Sequence, residues 1–370
     1  MIKQYYKQAL AQLRQHPLIS IIGIVGTALS IFLIMLVVMM QQVKVAPFSP
    51  ESNRNRFLHV HYMSISHKDW GNGTSNGPMS VQTAREVYKS LKTPEAVTVY
   101  CCMTVSTPVS LPGAPAIGAD VRETDDTFFH VFDFQFTDGK PYDEATFTAG
   151  RPVAVITESI SRALFGSIQS VGKEFLLSHA PYRVVGVVKD VSTLADMAYG
   201  QVWIPFTSTN LSNDTWSDNH MGMMSVTLLA HDREDFDEIR AEAKRRMNEY
   251  NSILADQGYT LIDRNRPYDQ ETQSISFAAN LEPDLKAARR ERVIIFIILL
   301  LVPAINLSSM TQSRLRQRVA EIGVRRAFGS TRIEMVGQIV MENLVITLLA
   351  GAIGLLISIL FAYWGTDILF

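Results

Sequence analysis

Apolar positions along this chain gather into three long runs, residues 18–40, 293–310 and 335–364, whereas residues 42–285 mix apolar and polar positions as a water-facing fold does. The first run, LISIIGIVGTALSIFLIMLVVMM from Leu18 to Met40, carries no charge. At about 1.5 Å of rise per helical residue it covers a hydrocarbon core of roughly 30 Å. It reads as a signal-anchor span, because a cleaved signal would have an apolar stretch of about 7–15 residues and then a small-residue cleavage site. The second run, VIIFIILLLVPAINLSSM from Val293 to Met310, predicts a span kinked at Pro303. The third, Met335 to Trp364, is longer than a span requires, so its first turns are expected in the interface, with Tyr363 and Trp364 at the far headgroup layer. Within it Ala350, Gly351 and Gly354 would let a second helix approach closely, or are glycines of the ordinary membrane kind. Ahead of the first run, Ile2, Tyr6, Ala9 and Leu13 share one helical face and predict an interfacial helix over 1–17, restarted as a span at Pro17.

The polar segment has strand and helix signals of its own. Pro152 to Thr157 predicts a buried strand, and Glu158 to Gly166 a short helix ended by glycine. Tyr182 to Asp190 predicts another strand, with Gly186 a bulge or a close contact. Val202 to Phe206 and Ser225 to Ala230 read as further strands, and Glu234 to Tyr250 as a charged amphipathic helix. Gly71 to Gly77 (GNGTSNG) and Thr107 to Gly118, which holds three prolines, are expected as surface loops outside any regular element.

Charge orients these pieces. Lys3, Lys7 and Arg14 favour a cytoplasmic N-terminus, which puts residues 41–288 outside. Arg289, Arg290 and Arg292 run against that assignment, but the loop 311–334 is more basic, with Arg314, Arg316, Arg318, Arg325, Arg326 and Arg332 against Glu321 and Glu334, and so is expected in the cytoplasm. The expected fold class is therefore a membrane α-helical protein with three visible spans and an extracytoplasmic α/β (α+β) domain inserted between the first and second. A net charge of −2 gives no global pull toward nucleic acid. The two cysteines, Cys101 and Cys102, are neighbours in sequence, a poor geometry for a disulfide, and read as free or packed thiols.

Candidate chemistry is sparse. Gly166 to Glu174, GSIQSVGKE, has five residues between its glycines where a P-loop has about four, and Glu174 stands where Ser or Thr would hold magnesium. His59 and His61 alternate in a strand-like HVHYM, without a third metal ligand nearby, and read as structural histidines. No serine elbow or adjacent base stands out, so no catalytic, cofactor or metal residue is assigned.

The loop from Arg314 to Glu334 holds the densest signal. Taken as one helix, Arg314, Arg318, Glu321 and Arg325 form a stripe beside Leu315, Val319 and Ile322, with Glu321 poised to pair Arg325. Gly329 can end it in the left-handed conformation, and Thr331 with Glu334 forms a capping box for the third span. Two uses fit: a basic anchor on the inner leaflet, or a docking helix, the latter suggested by the apolar stripe, the ordered turn and Phe328, a residue type ordinarily buried.

EIGVRRAFGSTR from Glu321 to Arg332, preceded by LVPAINLSSMTQSRLRQR and followed by MENLVITLLAGAIGLLIS, resembles the signature region of the FtsX-like permease family. Upstream, LRQHPLISIIGIVGTALSI resembles the family's first span. FFHVFDFQFTDGKPYDEATFTAGRPVAVITESISRALFG, with VGKEF and YRVVGVVKDV, resembles the MacB-type periplasmic core domain. The resemblance implies a non-catalytic ABC transporter permease in the bacterial inner membrane, working in export or lipoprotein and envelope processes. Its ATP would be handled by a separate cytoplasmic ABC-type ATPase, since the chain contains no such domain. Other implied partners are a second permease copy or a paralogue, a periplasmic or outer-membrane protein, and membrane lipid. The implied coupling interface is Arg318, Glu321, Ile322, Gly323, Val324, Arg325, Arg326, Ala327, Phe328 and Gly329. The family pattern carries a fourth span beyond the third, so a truncated or shortened member is expected. The alternative is an extracytoplasmic sensor or scaffold signalling through the basic loop.

Overall fold

The computed structural model describes residues 17–369, so the interfacial helix expected over 1–17 lies outside the described residues except for Pro17. The helices used below are α1 (Pro17–Val45), α2 (Glu158–Phe165), α3 (Phe236–Leu254), α4 (Leu285–Gln317), α5 (Val319–Ala327) and α6 (Arg332–Leu369). The chain divides into two compact units. One is the chain up to Val43 together with the chain from Lys286 onward, and the other is Lys44–Leu285.

In the first unit, three helices among the described residues are long and apolar enough to cross a membrane, Ile21–Val45, Leu285–Gln317 and Arg332–Trp364. The second is longer than its apolar core because Arg289, Arg290, Glu291 and Arg292 form its early turns, and it runs as one helix through Pro303, where a kink was expected. Small residues set the packing. A Cβ at Gly354 would lie 2.7 Å from the Ala28 carbonyl oxygen and 3.1 Å from Ile31 Cβ, so α6 meets the α1 backbone with no side chain between. Ala350, one turn earlier, is fully buried, and a Cβ at Gly351 would reach Ile31 Cδ1 at 3.7 Å. On another part of α1, Gly23 faces Met310 and Gly26 faces Asn306 of α4. The Asn306 amide donates to Thr27 Oγ1 at 3.4 Å and leans toward the Gly23 carbonyl at 3.5 Å.

The outer unit is built on a sheet of eleven strands among the described residues. Six of these close on themselves: Val202–Pro205, Val153–Thr157, Ala180–Val188, Glu174–Leu177, Val105–Ser110 and Ile117–Thr124, with the last pairing back in parallel to Val202–Pro205. Closure removes the exposed edges, and alternate residues such as Val121, Ile156, Phe175, Val184 and Ile204 fill one core. The sheet continues through Ala96–Cys101, Met224–Leu229 and Phe57–Val60. Helix α3 packs in the core on that side, burying Phe236, Ile239, Ala243, Met247, Tyr250 and Leu254, a spacing of three and four residues that gives one apolar face.

Two expected loops are strands in part, with residues 71–73 and 111–116 keeping the turns expected of them. Thr74–Gly77 pairs with Met63–His67 in a three-stranded sheet, and Val105–Ser110 pairs with Ile117–Thr124 across a turn. Glycine and proline content misled there because backbone pairing, not side-chain pattern, defines these strands. Pro108 sits opposite Gly118, and its carbonyl accepts from Ser178 N–H at 2.9 Å, on the side where the neighbouring strand ends, so its missing N–H removes no ladder bond. The Gly186 expectation fits the strand: the register shifts between Val184 and Gly186, and a Cβ there would meet Phe136 at 2.7 Å and the Lys140 carbonyl at 2.8 Å.

Where the outer unit begins, polar contacts hold the backbone of Lys44 and Ala46. Gln270 Nε2 donates to the Lys44 carbonyl at 2.8 Å, and Gln270 Oε1 faces His59 Nε2 at 2.8 Å. His59 Nδ1 meets Thr227 Oγ1 at 3.1 Å, which in turn meets the Tyr100 hydroxyl at 2.8 Å. With the His59 proton assigned to Nε2, the donors run in one direction from Tyr100 to Lys44. Just past the helix, the buried Arg54 binds Glu51 at 2.6 Å and donates to the carbonyls of Ala46 at 3.1 Å and Leu194 at 2.9 Å, while Glu51 accepts from Met197 and Ala198 N–H. Cys101 is buried, Cys102 half-buried, and both are free thiols.

Two expectations follow. Gly354→Leu should destabilise the detergent-solubilised chain by about 1–3 kcal/mol or more through overpacking against α1, whereas Gly337→Ala, where a Cβ meets open space, should be neutral or slightly stabilising; thermal melts of the two read this directly. Burial pushes the His59 imidazole down to about 3. The unfolded chain binds that proton near pH ~6.5, so the stability due to neutral His59 is complete above that pH and is lost as pH falls toward 3, by up to ~1.4 kcal/mol per unit. His59→Gln should flatten this acid limb of the stability profile.

Candidate functional site

The joint between α4 and α6 is where the sequence concentrates charge, and it folds as a short helix held between two breaks. Residues Arg314 to Gly329 do not form the single helix expected of them. Helix α4 stops at Gln317, Arg318 leaves helical geometry at φ −110° and ψ 14°, and α5 begins at Val319. Arg318 N–H still bonds the Leu315 carbonyl at 3.1 Å and Ile322 N–H the Arg318 carbonyl at 2.9 Å, so the backbone turns without leaving its polar groups unpaired. At the far end Phe328 caps α5 and Gly329 takes φ +92°, a value that favours glycine. Thr331 and Glu334 then form the capping box: Thr331 N–H donates to Glu334 Oε2 at 2.9 Å and Glu334 N–H to Thr331 Oγ1 at 3.3 Å.

Of the residues assigned to the coupling interface, Glu321, Ile322, Gly323, Val324, Arg325, Arg326 and Ala327 lie on α5, with Arg318 at its start and Phe328 and Gly329 at its end. The Arg325 side chain lies outside the described residues, so the expected Glu321–Arg325 pair does too. Glu321 also holds Arg318, three residues back: Nε reaches Oε2 at 2.8 Å and Nη2 reaches Oε1 at 3.1 Å, a two-pronged pair. The Glu321 hydrogen bond, against partial burial and with help from Glu342, raises the Arg318 pKa and keeps the guanidinium charged. Phe328, of a type expected to be buried, is 88% exposed within this chain, and Val319 and Val324 are exposed with it. A small apolar surface is thus presented by a short helix closed at its C-terminal end. Ala350, Gly351 and Gly354 belong elsewhere, on the face of α6 that meets α1.

Glu342 was not singled out from the sequence, although a carboxylate inside an apolar run is itself a signal. It is 5% exposed, accepts from Gln338 Nε2 at 2.9 Å and receives Arg318 Nη1 at 3.3 Å. Next to it Asn343 Oδ1 accepts from Thr311 Oγ1 of α4 at 3.1 Å. In the outer unit the P-loop look-alike resolves into a helix cap and a turn. Gly166 ends α2 at φ +69°, Gly172 turns at φ +86°, and Glu174 pairs with Arg183 on the adjoining strand. His59 commits both ring nitrogens to Thr227 and Gln270.

Comparison with known proteins gives two family matches: a MacB-like periplasmic core domain over residues 18–246 and an FtsX-like permease C-terminal region over residues 293–369. The chain is 22% identical over 244 residues to the uncharacterized ABC transporter permease YknZ of Bacillus subtilis (strain 168), covering 64% of this chain and 55% of that one. It is 22% identical over 252 residues to the macrolide export ATP-binding/permease protein MacB of Escherichia coli (strain K12), covering 67% of this chain and 36% of that one. It therefore spans between about a third and about half of the length of these relatives. Among solved structures, the periplasmic region of MacB from Actinobacillus actinomycetemcomitans matches with a TM-score of 0.38 at 19% identity, over 55% of this chain and 88% of that one. The extracellular domain of the noncanonic ABC-type transporter YknZ from Gram-positive bacteria matches at 0.39 and 14% identity, over 54% and 99%. The spans, the α/β outer unit and the two family matches make this chain a membrane protein with an extracytoplasmic domain, and it belongs to the ABC transporter permeases of the MacB/FtsX type.

Proposed function

We propose that this chain carries ATP-driven motion from a separate cytoplasmic ABC-type ATPase to its outer unit, with α5 as the element the ATPase grips. The observation that carries the reading is α5 itself: a short helix bounded by a break at Arg318 and a glycine turn at Gly329, joined to two spans by short connections, and exposing Val324 and Phe328 one turn apart. Apolar side chains held out by an ordered helix suit a protein groove, in the helix-in-groove mode. The basic residues flanking them, Arg326 and Arg332, suit acidic side chains around such a groove or anionic lipid beside it. Motion can be transmitted only if the ATPase contacts α5 differently in its two states. Within the outer unit, the Gln270 and Arg54 contacts around the end of α1 would receive that motion and pass it to the sheet.

On this reading the chain binds no nucleotide and catalyses no reaction. ATP belongs to the partner, and the outer unit acts on an extracytoplasmic cargo or partner in export or envelope traffic. A second permease copy or a paralogue would complete the membrane assembly in the bacterial inner membrane.

Phe328→Glu should abolish co-purification of an ATPase from membranes at least about tenfold, the scale of losing one buried aromatic anchor at an interface, while the chain still inserts and melts normally. Equal recovery of an ATPase with wild-type and Phe328→Glu would remove α5 as the docking element. Recovery of a kinase or response regulator in its place would favour a sensor.

A further inference from the structure

Helix α5 poses a mechanical question that its packing does not answer. Among its described side chains every one except Ile322 is exposed, so apolar burial does not fix its direction. Both of its ends are breaks, Arg318 outside helical geometry and Gly329 at φ +92°. A helix free to swivel at both ends would absorb a push rather than transmit it.

We propose that Arg318 is the positioning residue that sets the direction of α5 against the third span, through one guanidinium shared by Glu321 on α5 and Glu342 on α6. Three of its nitrogens are committed. Nε and Nη2 take the two oxygens of Glu321 at 2.8 and 3.1 Å, and Nη1 takes the carboxylate of Glu342 at 3.3 and 3.4 Å. Because the guanidinium is planar and its N–H directions are fixed, two carboxylates held on different edges of it are held in a fixed relation to each other. A lysine, with one rotatable charge, could satisfy both without fixing either.

The two carboxylates differ in footing. Glu342 is 5% exposed and set in an apolar helix, where an ionised group is costly unless paired, and Gln338 orients it from one turn away. The neighbouring Asn343 is tied to Thr311 of α4, so this stretch of α6 is braced against the second span. Glu321 stands on the exposed helix. The bridge therefore has a fixed end and a movable end, and the break at Arg318 lies between them. A load applied to α5 reaches α6 through this ion-paired contact as well as through the backbone at Gly329. The positional role belongs to this chain alone; its use in coupling rests on the function proposed above.

The test separates the two. The full chain, with Cys101→Ser and Cys102→Ser, is spin-labelled at Val324→Cys and Val340→Cys, both exposed sites, and the label separation is measured by pulsed EPR in lipid nanodiscs without any partner. The intact bridge gives one narrow distance peak. Glu342→Gln, which removes the charge and keeps the shape, and Arg318→Lys both lose it to a broad distribution. Gln338→Ala, which removes one hydrogen bond to Glu342 and leaves both ion pairs of Arg318 in place, broadens it less than Glu342→Gln does. Thermal melts confirm that each variant is folded. A narrow peak that survives Glu342→Gln, or a broad one in the intact chain, overturns the proposal whatever becomes of the ATPase. If the ATPase co-purifies, Glu342→Gln should keep it bound yet lose the stimulation of its activity by the permease; unchanged stimulation would leave Arg318 without a role in coupling.

Discussion

Inside a bilayer a polar group has no water to turn to, and much of the membrane unit follows from that constraint. Asn306 on α4 faces Gly26 of α1 because the amide needs Thr27 Oγ1 and a backbone carbonyl, and glycine lets it come close enough. Thr311 reaches Asn343, and Glu342 draws Arg318 and Gln338 toward it. These contacts join helices that dispersion alone would let slide, since lipid tails are as apolar as the leucines they would replace. Close approach at Gly354 and Ala28 supplies the packing, and the polar pairs supply the register.

The outer unit meets a different solvent and solves a different problem. Its closed ring of six strands buries apolar side chains on one side of the unit, and α3 closes the core on the other. Where this water-facing unit begins, the holding contacts are again polar. The Gln270 and Arg54 contacts with the carbonyls of Lys44 and Ala46 satisfy backbone groups that a helix end and its exit leave open. Satisfying those groups also fixes the backbone at Lys44 and Ala46, where the outer unit begins.

The spans could be read from the sequence because uniform apolarity over such a length has few other meanings, and the strand at Val153–Thr157, the helix after it and the α3 face followed from periodicity. The capping box at Thr331 and Glu334 was legible because its chemistry is local. The break at Arg318 was not, since nothing in local propensity separates Gln317 from Val319; long-range contacts with Glu342 go with the turn there. Closure of the sheet was equally hidden, because the parallel pairing of Val202–Pro205 with Ile117–Thr124 joins segments far apart in sequence. The glycine- and proline-rich strands failed for the related reason that their neighbours, rather than their composition, make them strands. The FtsX-like signature located the candidate site, but not which of its charges pair with a carboxylate of α6.

The central claim is that α5 is gripped by a nucleotide-driven partner on the cytoplasmic side. The most direct test is a photoreactive amino acid placed at Val324, exposed on α5, and irradiated in intact cells. The account predicts a covalent adduct with an ABC-type ATPase whose yield changes when the ATPase is arrested in its ATP-bound state. Adducts with lipid alone, or with proteins of the extracytoplasmic side, would contradict it.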